Sequence, residues 1–91
     1  MAYRVIVRIE NTMGTYEYGK PLLILLDEPA TSGLVAYCSA TGHGEGDYDA
    51  LIKQSRRADR EERENALSLY GYDKIKDLKV VMFKKVVKWD I

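Results

Sequence analysis

The chain has 91 residues, with 14 Lys plus Arg against 14 Asp plus Glu, so its formal net charge is zero. A chain of this length predicts one domain, residues 1–91, and the balanced charge excludes a whole-molecule field that would draw it to nucleic acid or a membrane. The lone cysteine, Cys38, excludes a disulfide framework and a cysteine metal cage, which predicts a cytoplasmic location. The longest apolar run, residues 21–26, is much shorter than the ~18 residues of a membrane helix.

Strand patterns occupy the first half of the chain. Residues 3–10 alternate apolar and polar side chains, which predicts a half-buried strand, and residues 15–18 have the aromatic and β-branched content of a returning strand in a first hairpin. Residues 22–26 are apolar on both faces and predict a central strand. Residues 34–38 are expected to pair back onto it as a second hairpin.

Residues 47–70 have the pattern of one long helix. Asp47 is a suitable N-cap, and Gly71 follows at the C-terminal end. Apolar or small residues recur on one side of this helix at Tyr48, Leu51, Ile52, Ser55, Ala58, Ala66, Leu69 and Tyr70. Glu62 interrupts this side, which predicts either a lysine partner from the sheet or a helix segment that projects past the sheet.

Residues 78–91 predict a long final strand, because Val81, Phe83, Val87, Trp89 and Ile91 share one parity. The predicted order is β-β-β-β-α-β. The fold class is therefore α+β, an antiparallel sheet of four to five strands with one long helix packed on one face. An apolar edge ending in Trp89 and Ile91 also makes a homodimer plausible.

A glycine-rich loop, residues 42–46, is expected between the last hairpin and the helix. Backbone N–H groups at such a position can bind phosphate, so Gly42, His43, Gly44 and Glu45 form a possible ligand loop. The neighbouring acids would repel an anion, and no nucleophile and base pair is recognisable. No catalytic residue, metal site or cofactor is predicted.

A basic stripe is the most organised surface feature of the predicted helix. It consists of Lys53, Arg56, Arg57, Arg60 and Arg63, which recur opposite the apolar side. Tyr16 and Tyr18 of the first hairpin are candidate interface anchors. The alternative is that these residues form an ordinary solvated helix face without a binding role, because Asp49, Glu61 and Glu64 border the stripe.

The leading hypothesis is a non-enzymatic interaction protein that binds a protein partner through the basic stripe, Tyr16 and Tyr18. The chain is similar in size, and in lacking a catalytic constellation, to small phage or mobile-element proteins that act as inhibitors or modulators, which are a class of viral protein. The first alternative is nucleic-acid binding through the same arginines. The second is ligand binding or catalysis at the His43 loop.

Overall fold

A mixed six-stranded sheet and two helices make up the α+β fold of residues 2–82, the part of the chain that the computed structural model describes. The strands are β1 (Tyr3–Glu10), β2 (Pro21–Leu25), β3 (Val35–Ser39), β4 (Gly42–Gly46), β5 (Ser55–Arg57) and β6 (Leu78–Val80). The helices are α1 (Tyr48–Lys53) and α2 (Arg60–Leu69), followed by a 3-10 turn, Tyr72–Lys74. Neither α1 nor α2 has the length and apolar character needed to span a bilayer.

The sheet order is β4-β3-β2-β1-β5, and all of these neighbours are antiparallel. β6 pairs in parallel with the first half of β1, on the edge whose second half pairs with β5. The sheet is therefore mixed, whereas the sequence predicted a purely antiparallel one. The central position of β2 and its hairpin with β3 are confirmed, with Leu23 opposite Cys38.

The two helices cover opposite faces of the sheet, so the predicted arrangement of one helix on one face is wrong. Tyr48 and Leu51 of α1 pack on the face that carries Ile6 and Ile24. On the other face, the linker residue Ala58 and Ala66 of α2 pack with other buried side chains, which are Val5, Val7, Ile9, Leu23, Leu25, Ala36 and Cys38. β1 and β2 are consequently buried on both sides.

The predicted long helix is interrupted at residues 54–59. Ser55–Arg57 form β5 because the edge of β1 beside them offers unpaired main-chain groups, and the Asn11 N–H donates to the Gln54 carbonyl at 2.8 Å. The Ser55 hydroxyl accepts from Arg8 Nε at 2.9 Å and donates to the Leu51 carbonyl at 2.7 Å. Asp59 then caps a second helix. Asp47 and Gly71, at the outer ends, take the predicted capping roles.

Two short segments also differ from prediction. Residues 15–18 form turns instead of a strand, because the Gly19 N–H donates to the Glu10 carbonyl at 2.8 Å and the Glu10 N–H donates to the Lys20 carbonyl at 2.9 Å. These bonds close a loop, and β2 starts only at Pro21. Gly42–Gly46, predicted as a loop, is instead a strand paired with β3.

The end of the predicted final strand lies outside the described residues. β6 confirms its first three residues, Leu78–Val80, but the strand ends there, so Val81 and Met82 are not part of it as predicted. The predictions for residues 83–91, including the apolar edge at Trp89 and Ile91, concern a part of the chain that is not described.

Candidate functional site

The five residues of the predicted basic stripe belong to three different elements. Lys53 ends α1, Arg56 and Arg57 lie on β5, and Arg60 and Arg63 lie on α2. Arg56 is opposite Ile9 and Arg57 is opposite Arg8 in the β1–β5 register, so their side chains project to opposite faces of the sheet. The five residues therefore do not form one stripe along a single helix.

Arg56 is held by Glu62, the residue that interrupts the apolar side of the predicted helix. Its two terminal nitrogens bond both oxygens of Glu62 at 3.1 and 2.8 Å, a bidentate ion pair. Glu62 also accepts the Asp59 N–H at 3.0 Å, and Asp59 accepts the Glu62 N–H at 2.8 Å, which completes a capping box. The Arg56 hydrogen bonds, with the Asp59 N–H, lower the pKa of Glu62 to about 2. Glu62 thus has a partner from the sheet, an arginine where a lysine was expected.

Three of the stripe arginines line one shallow, open depression at the start of α2. Arg57, Arg60 and Arg63 border it together with Ala58 and Asp59. Arg60 is partly engaged with Glu64 at 3.3 Å, and an Arg63 nitrogen donates to the Ala58 carbonyl at 3.0 Å. The carboxylate of Asp59 lowers the positive potential of this depression.

Residues 11–20, which we call the aromatic loop, expose large side chains to solvent. Met13 is 78% exposed and Tyr16 71%, while Tyr18 is about half exposed. The Lys20 ammonium lies 3.2 Å from the centroid of the Tyr16 ring, a cation–π contact that orients the ring.

The base of the aromatic loop is fixed to the neighbouring hairpin. One carboxylate oxygen of Glu17 accepts the Thr41 hydroxyl at 2.6 Å and the Ser39 hydroxyl at 3.1 Å. The Thr15 hydroxyl donates to the Thr12 carbonyl at 2.8 Å. These bonds hold the loop in place while its aromatic rings remain accessible.

Two tyrosines of the aromatic loop contribute electrostatically to residues near the two ends of α2. Hydrogen bonds to Glu62 raise the pKa of Arg56, and Tyr18 is close enough to contribute electrostatically. Burial raises the pKa of Tyr70 to about 12, with a smaller contribution from Tyr16. The residue that follows the loop is in direct contact with the end of the helix, because the Tyr70 hydroxyl donates to the Pro21 carbonyl at 2.9 Å.

Leu69 of α2 is a further exposed apolar residue. It is 67% exposed and lies seven residues after Glu62, which is two helical turns along the same flank of α2. We call the set Met13, Tyr16, Tyr18, Lys20, Arg56 and Leu69 the loop–helix surface.

The loop–helix surface contains Tyr16, Tyr18 and Arg56 of the predicted contact set and three residues that the sequence did not single out. Leu69 was assigned to the core-facing side. That assignment assumed one continuous helix with an uninterrupted periodicity from Asp47 onward. The helix restarts at Asp59, so Ala66 faces the core and Leu69 does not. Met13 was assigned only to a turn, and nothing else in the sequence indicates that its side chain is exposed.

The predicted ligand loop is placed on the edge strand β4. His43 Nε2 is 3.1 Å from the Tyr72 hydroxyl, and the Tyr72 ring stacks on that of Tyr3 with centroids 6.5 Å apart. Glu45 Oε1 accepts the Thr31 N–H at 3.2 Å. An open groove beside this strand is lined by Leu25, Glu28, Pro29, Ala36, Tyr37, His43, Gly44 and Glu45.

The strand conformation changes what the His43 segment can do. The segment pairs with β3 throughout its length, so it does not form a glycine-rich cradle of converging N–H groups. Within residues 2–82, no cluster of three or more His, Cys, Asp and Glu side chains is arranged to hold a metal ion.

Comparison with known proteins leaves the loop–helix surface to be interpreted from its own geometry. No protein-family model matches the sequence, and no significant match was found among curated proteins or solved structures.

Proposed function

We propose that this chain is a non-enzymatic protein that binds a macromolecular protein partner through the loop–helix surface. The observation that carries the proposal is the exposure of three large side chains of the aromatic loop, Met13, Tyr16 and Tyr18, with Leu69 of α2 also exposed. Large exposed side chains of these types are the common anchors of protein interfaces, whereas a solvated surface favours charged and small polar residues.

The surface is also organised before a partner arrives. Lys20 orients the Tyr16 ring, Glu17 fixes the base of the loop, and Glu62 holds Arg56 by a bidentate pair. Side chains that are already ordered lose less conformational entropy on binding, so more of their contact energy contributes to affinity.

The partner that fits this surface has an apolar groove with acidic residues at its rim. The groove would take Tyr16, Tyr18 and Met13, and the acidic rim would meet Lys20 and Arg56. A small protein that occupies such a groove acts as an inhibitor or modulator by excluding the partner's other ligands. This action needs no chemistry on the part of the chain.

The first experiment is a quantitative pull-down from cells of the source organism, read out by mass spectrometry. The wild-type chain is compared with a Tyr16→Ala/Tyr18→Ala variant and with a Leu34→Ala control, since Leu34 is an exposed apolar residue outside the loop–helix surface. We expect a protein that the wild type and the control both enrich and the double variant does not. Equal enrichment by all three chains would contradict the proposed surface.

Titration of the purified partner then tests the energetics. Removing a tyrosine anchor typically costs about 2 kcal/mol or more, which is roughly a 30-fold loss of affinity. We expect such a loss for Tyr16→Ala or Tyr18→Ala and less than about 3-fold for Leu34→Ala. The circular dichroism spectra of all variants should match, because none of these side chains is buried.

Nucleic-acid binding is the second candidate, favoured by the convergence of Arg57, Arg60 and Arg63 on one depression. Three phosphate contacts would give a log–log salt slope of about −2 to −3. Fluorescence anisotropy with labelled RNA and DNA at 50 and 200 mM salt measures it. If the chain binds nucleic acid, the wild type should bind at low salt and the Arg57→Ala/Arg63→Ala variant should not. The absence of binding at 50 mM salt would exclude this function.

A further inference from the structure

Within the described part of the chain, the strand β4 is an outer edge of the sheet and lacks the lysine, proline and bulge that commonly protect such an edge. Among residues 2–82 its one strand neighbour is β3, with which it pairs residue for residue from Gly42 to Gly46 without a bulge. It contains no lysine and no proline, the residues that commonly block an exposed edge. Its outer main-chain N–H and C=O groups are positioned to accept another strand.

The sequence of β4 is complementary to itself when two copies run antiparallel. A two-fold axis at Gly44 places Gly44 opposite the same residue of the second copy. His43 then lies opposite the second copy's Glu45, and Glu45 opposite its His43. Directly opposed side chains in such a pair have Cβ atoms about 4.5–5.5 Å apart, within reach of a hydrogen-bonded His–Glu contact. One register thus creates two complementary pairs at once.

Contacts within one copy engage only one polar atom each of His43 and Glu45. His43 uses Nε2 toward Tyr72, and Glu45 uses Oε1 to accept from Thr31. Among the interactions of the described residues, none engages the other ring nitrogen of His43 or the other carboxylate oxygen of Glu45. Each copy therefore offers one atom of each kind to the other copy.

β4 itself contributes no side chain to its opposite face. Gly42, Gly44 and Gly46 share that face, and the Tyr37 ring from β3 lies so close to Gly44 that an added Cβ would be 2.7 Å from the Tyr37 hydroxyl. In the two-fold pair, the two tyrosine rings would flank a strip of glycine backbone. The three glycines themselves add no side chain that would keep a second strand away.

We propose that two copies of this chain associate through antiparallel pairing of their β4 strands, centred on Gly44, to form one continuous sheet. Five residue pairs give about four to six inter-strand hydrogen bonds. This is a small interface, so we expect a weak dimer with a dissociation constant on the order of 100 µM.

Sedimentation velocity from about 10 µM to 1 mM tests the proposal with a charge swap. We expect the wild type to dimerise and His43→Glu, which opposes two glutamates across each pair, to bind itself at least 10-fold more weakly. The double variant His43→Glu/Glu45→His restores complementary pairs and should recover dimerisation. Tyr72→Phe is the matched control, because it removes the intramolecular contact of His43 while leaving the β4 edge unchanged.

Several outcomes would overturn the proposal. A wild type that stays monomeric at 1 mM rejects it outright, and a dimer that is insensitive to His43→Glu places the contact elsewhere. A double variant that folds, as judged by circular dichroism, but fails to recover dimerisation rejects the Gly44-centred register. Tyr16→Ala/Tyr18→Ala should dimerise like the wild type, so the result is independent of the proposed partner surface.

Discussion

At the scale of single residues, the largest departure from expectation is on the polar face of β1. The alternation of residues 3–10 assigns Arg8 and Glu10 to solvent, yet both are buried. α1 covers that face, and Arg8 compensates for its desolvation by donating to the Ser55 hydroxyl, the Ser55 carbonyl and the Ile52 carbonyl at 2.9, 2.9 and 3.1 Å. Gln54 donates to the Glu10 carboxylate at 3.2 Å. These contacts join β1 to the segment that interrupts the predicted helix.

Arg8→Leu should therefore be strongly destabilising. The substitution removes one donor each from the Ser55 hydroxyl, the buried Ser55 carbonyl and the Ile52 carbonyl, although the Ile52 carbonyl still accepts from the Ser55 hydroxyl at 3.2 Å. We expect this loss to lower the free energy of unfolding by about 2–4 kcal/mol. Arg4→Leu on the same strand is the control, because the Arg4 side chain is half exposed and its ion pair with Asp27 is screened by solvent, so we expect a clearly smaller loss. Urea unfolding measures both variants, and similar losses would refute the structural role of Arg8.

Glu62 predicts a pH-dependent contribution to stability. Its pKa falls from 4.5 to about 2 on folding, so the ionised form stabilises the fold above about pH 5, and this contribution is lost as the pH falls toward 2. We expect Glu62→Gln to be less stable than wild type by about 1 kcal/mol at pH 7, with a smaller difference at pH 3.

Urea unfolding of wild type and Glu62→Gln at several pH values provides the measurement. Glu64→Gln is the control, since the exposed 3.3 Å contact with Arg60 should contribute little at any pH. A Glu62→Gln difference that does not vary between pH 7 and pH 3 would argue against the ion pair of Glu62 with Arg56.

At the scale of elements, local pattern and tertiary pairing compete in two places. Residues 47–70 have helical periodicity throughout, but three of them pair with β1 because an open sheet edge satisfies more main-chain groups than the helix does at that position. In β4, glycine content suggested a loop, yet pairing with β3 imposes a strand. The absence of a Cβ at Gly44 then allows Tyr37 to lie across it.

Gly44 and Gly46 should respond differently to alanine. At Gly44 the new Cβ would be 2.7 Å from the Tyr37 hydroxyl and 2.8 Å from its ring, so the tyrosine must move, at a cost of about 1–2 kcal/mol. At Gly46 the nearest atoms, on Leu51, are 3.5 Å away, an ordinary contact, and Gly46→Ala should be within about 0.5 kcal/mol of wild type.

A double-mutant cycle of Gly44→Ala with Tyr37→Leu, measured by urea unfolding, isolates the steric conflict between the new Cβ and the Tyr37 ring. The cost of Gly44→Ala should fall when the ring is absent. An unchanged cost would show that Tyr37 is not the source of the strain.

At the scale of the whole molecule, the helices on opposite faces divide the apolar side chains between two cores. Adjacent residues of β2 belong to different cores: Leu23 packs toward α2 and Ile24 toward α1, and both are fully buried. A sheet covered on one side would leave one of the two partly exposed.

Leu23→Ala and Ile24→Ala should consequently be destabilising to a similar extent. Each removes a buried side chain and leaves a cavity, for which about 2–4 kcal/mol is typical. Chemical denaturation of the two variants provides the measurement, with Leu34→Ala as an exposed control. A cost below about 1 kcal/mol for Ile24→Ala would contradict the second core.

Parts of the fold and of the candidate site follow from residue patterns alone. Residues 3–10, the central strand that begins at Pro21, and the caps at Asp47 and Gly71 are predictable because their signals are local. Tyr16 and Tyr18 were recognised as candidate anchors, and Arg56 as part of a basic set. Met13 and Leu69 were not, because exposure depends on which neighbours the fold brings close.

The sequence by itself determined an α+β domain with an apolar central hairpin, because hydrophobic periodicity and capping residues act over a few positions of the chain. Only the tertiary structure decided the break in the helix, the edge position of β4 and the face on which each helix packs. The physical reason is that main-chain groups take partners wherever an open strand edge lies within reach, and buried polar groups such as Arg8 take acceptors from distant residues. Pairing of that kind leaves no periodic trace in the segments that it joins.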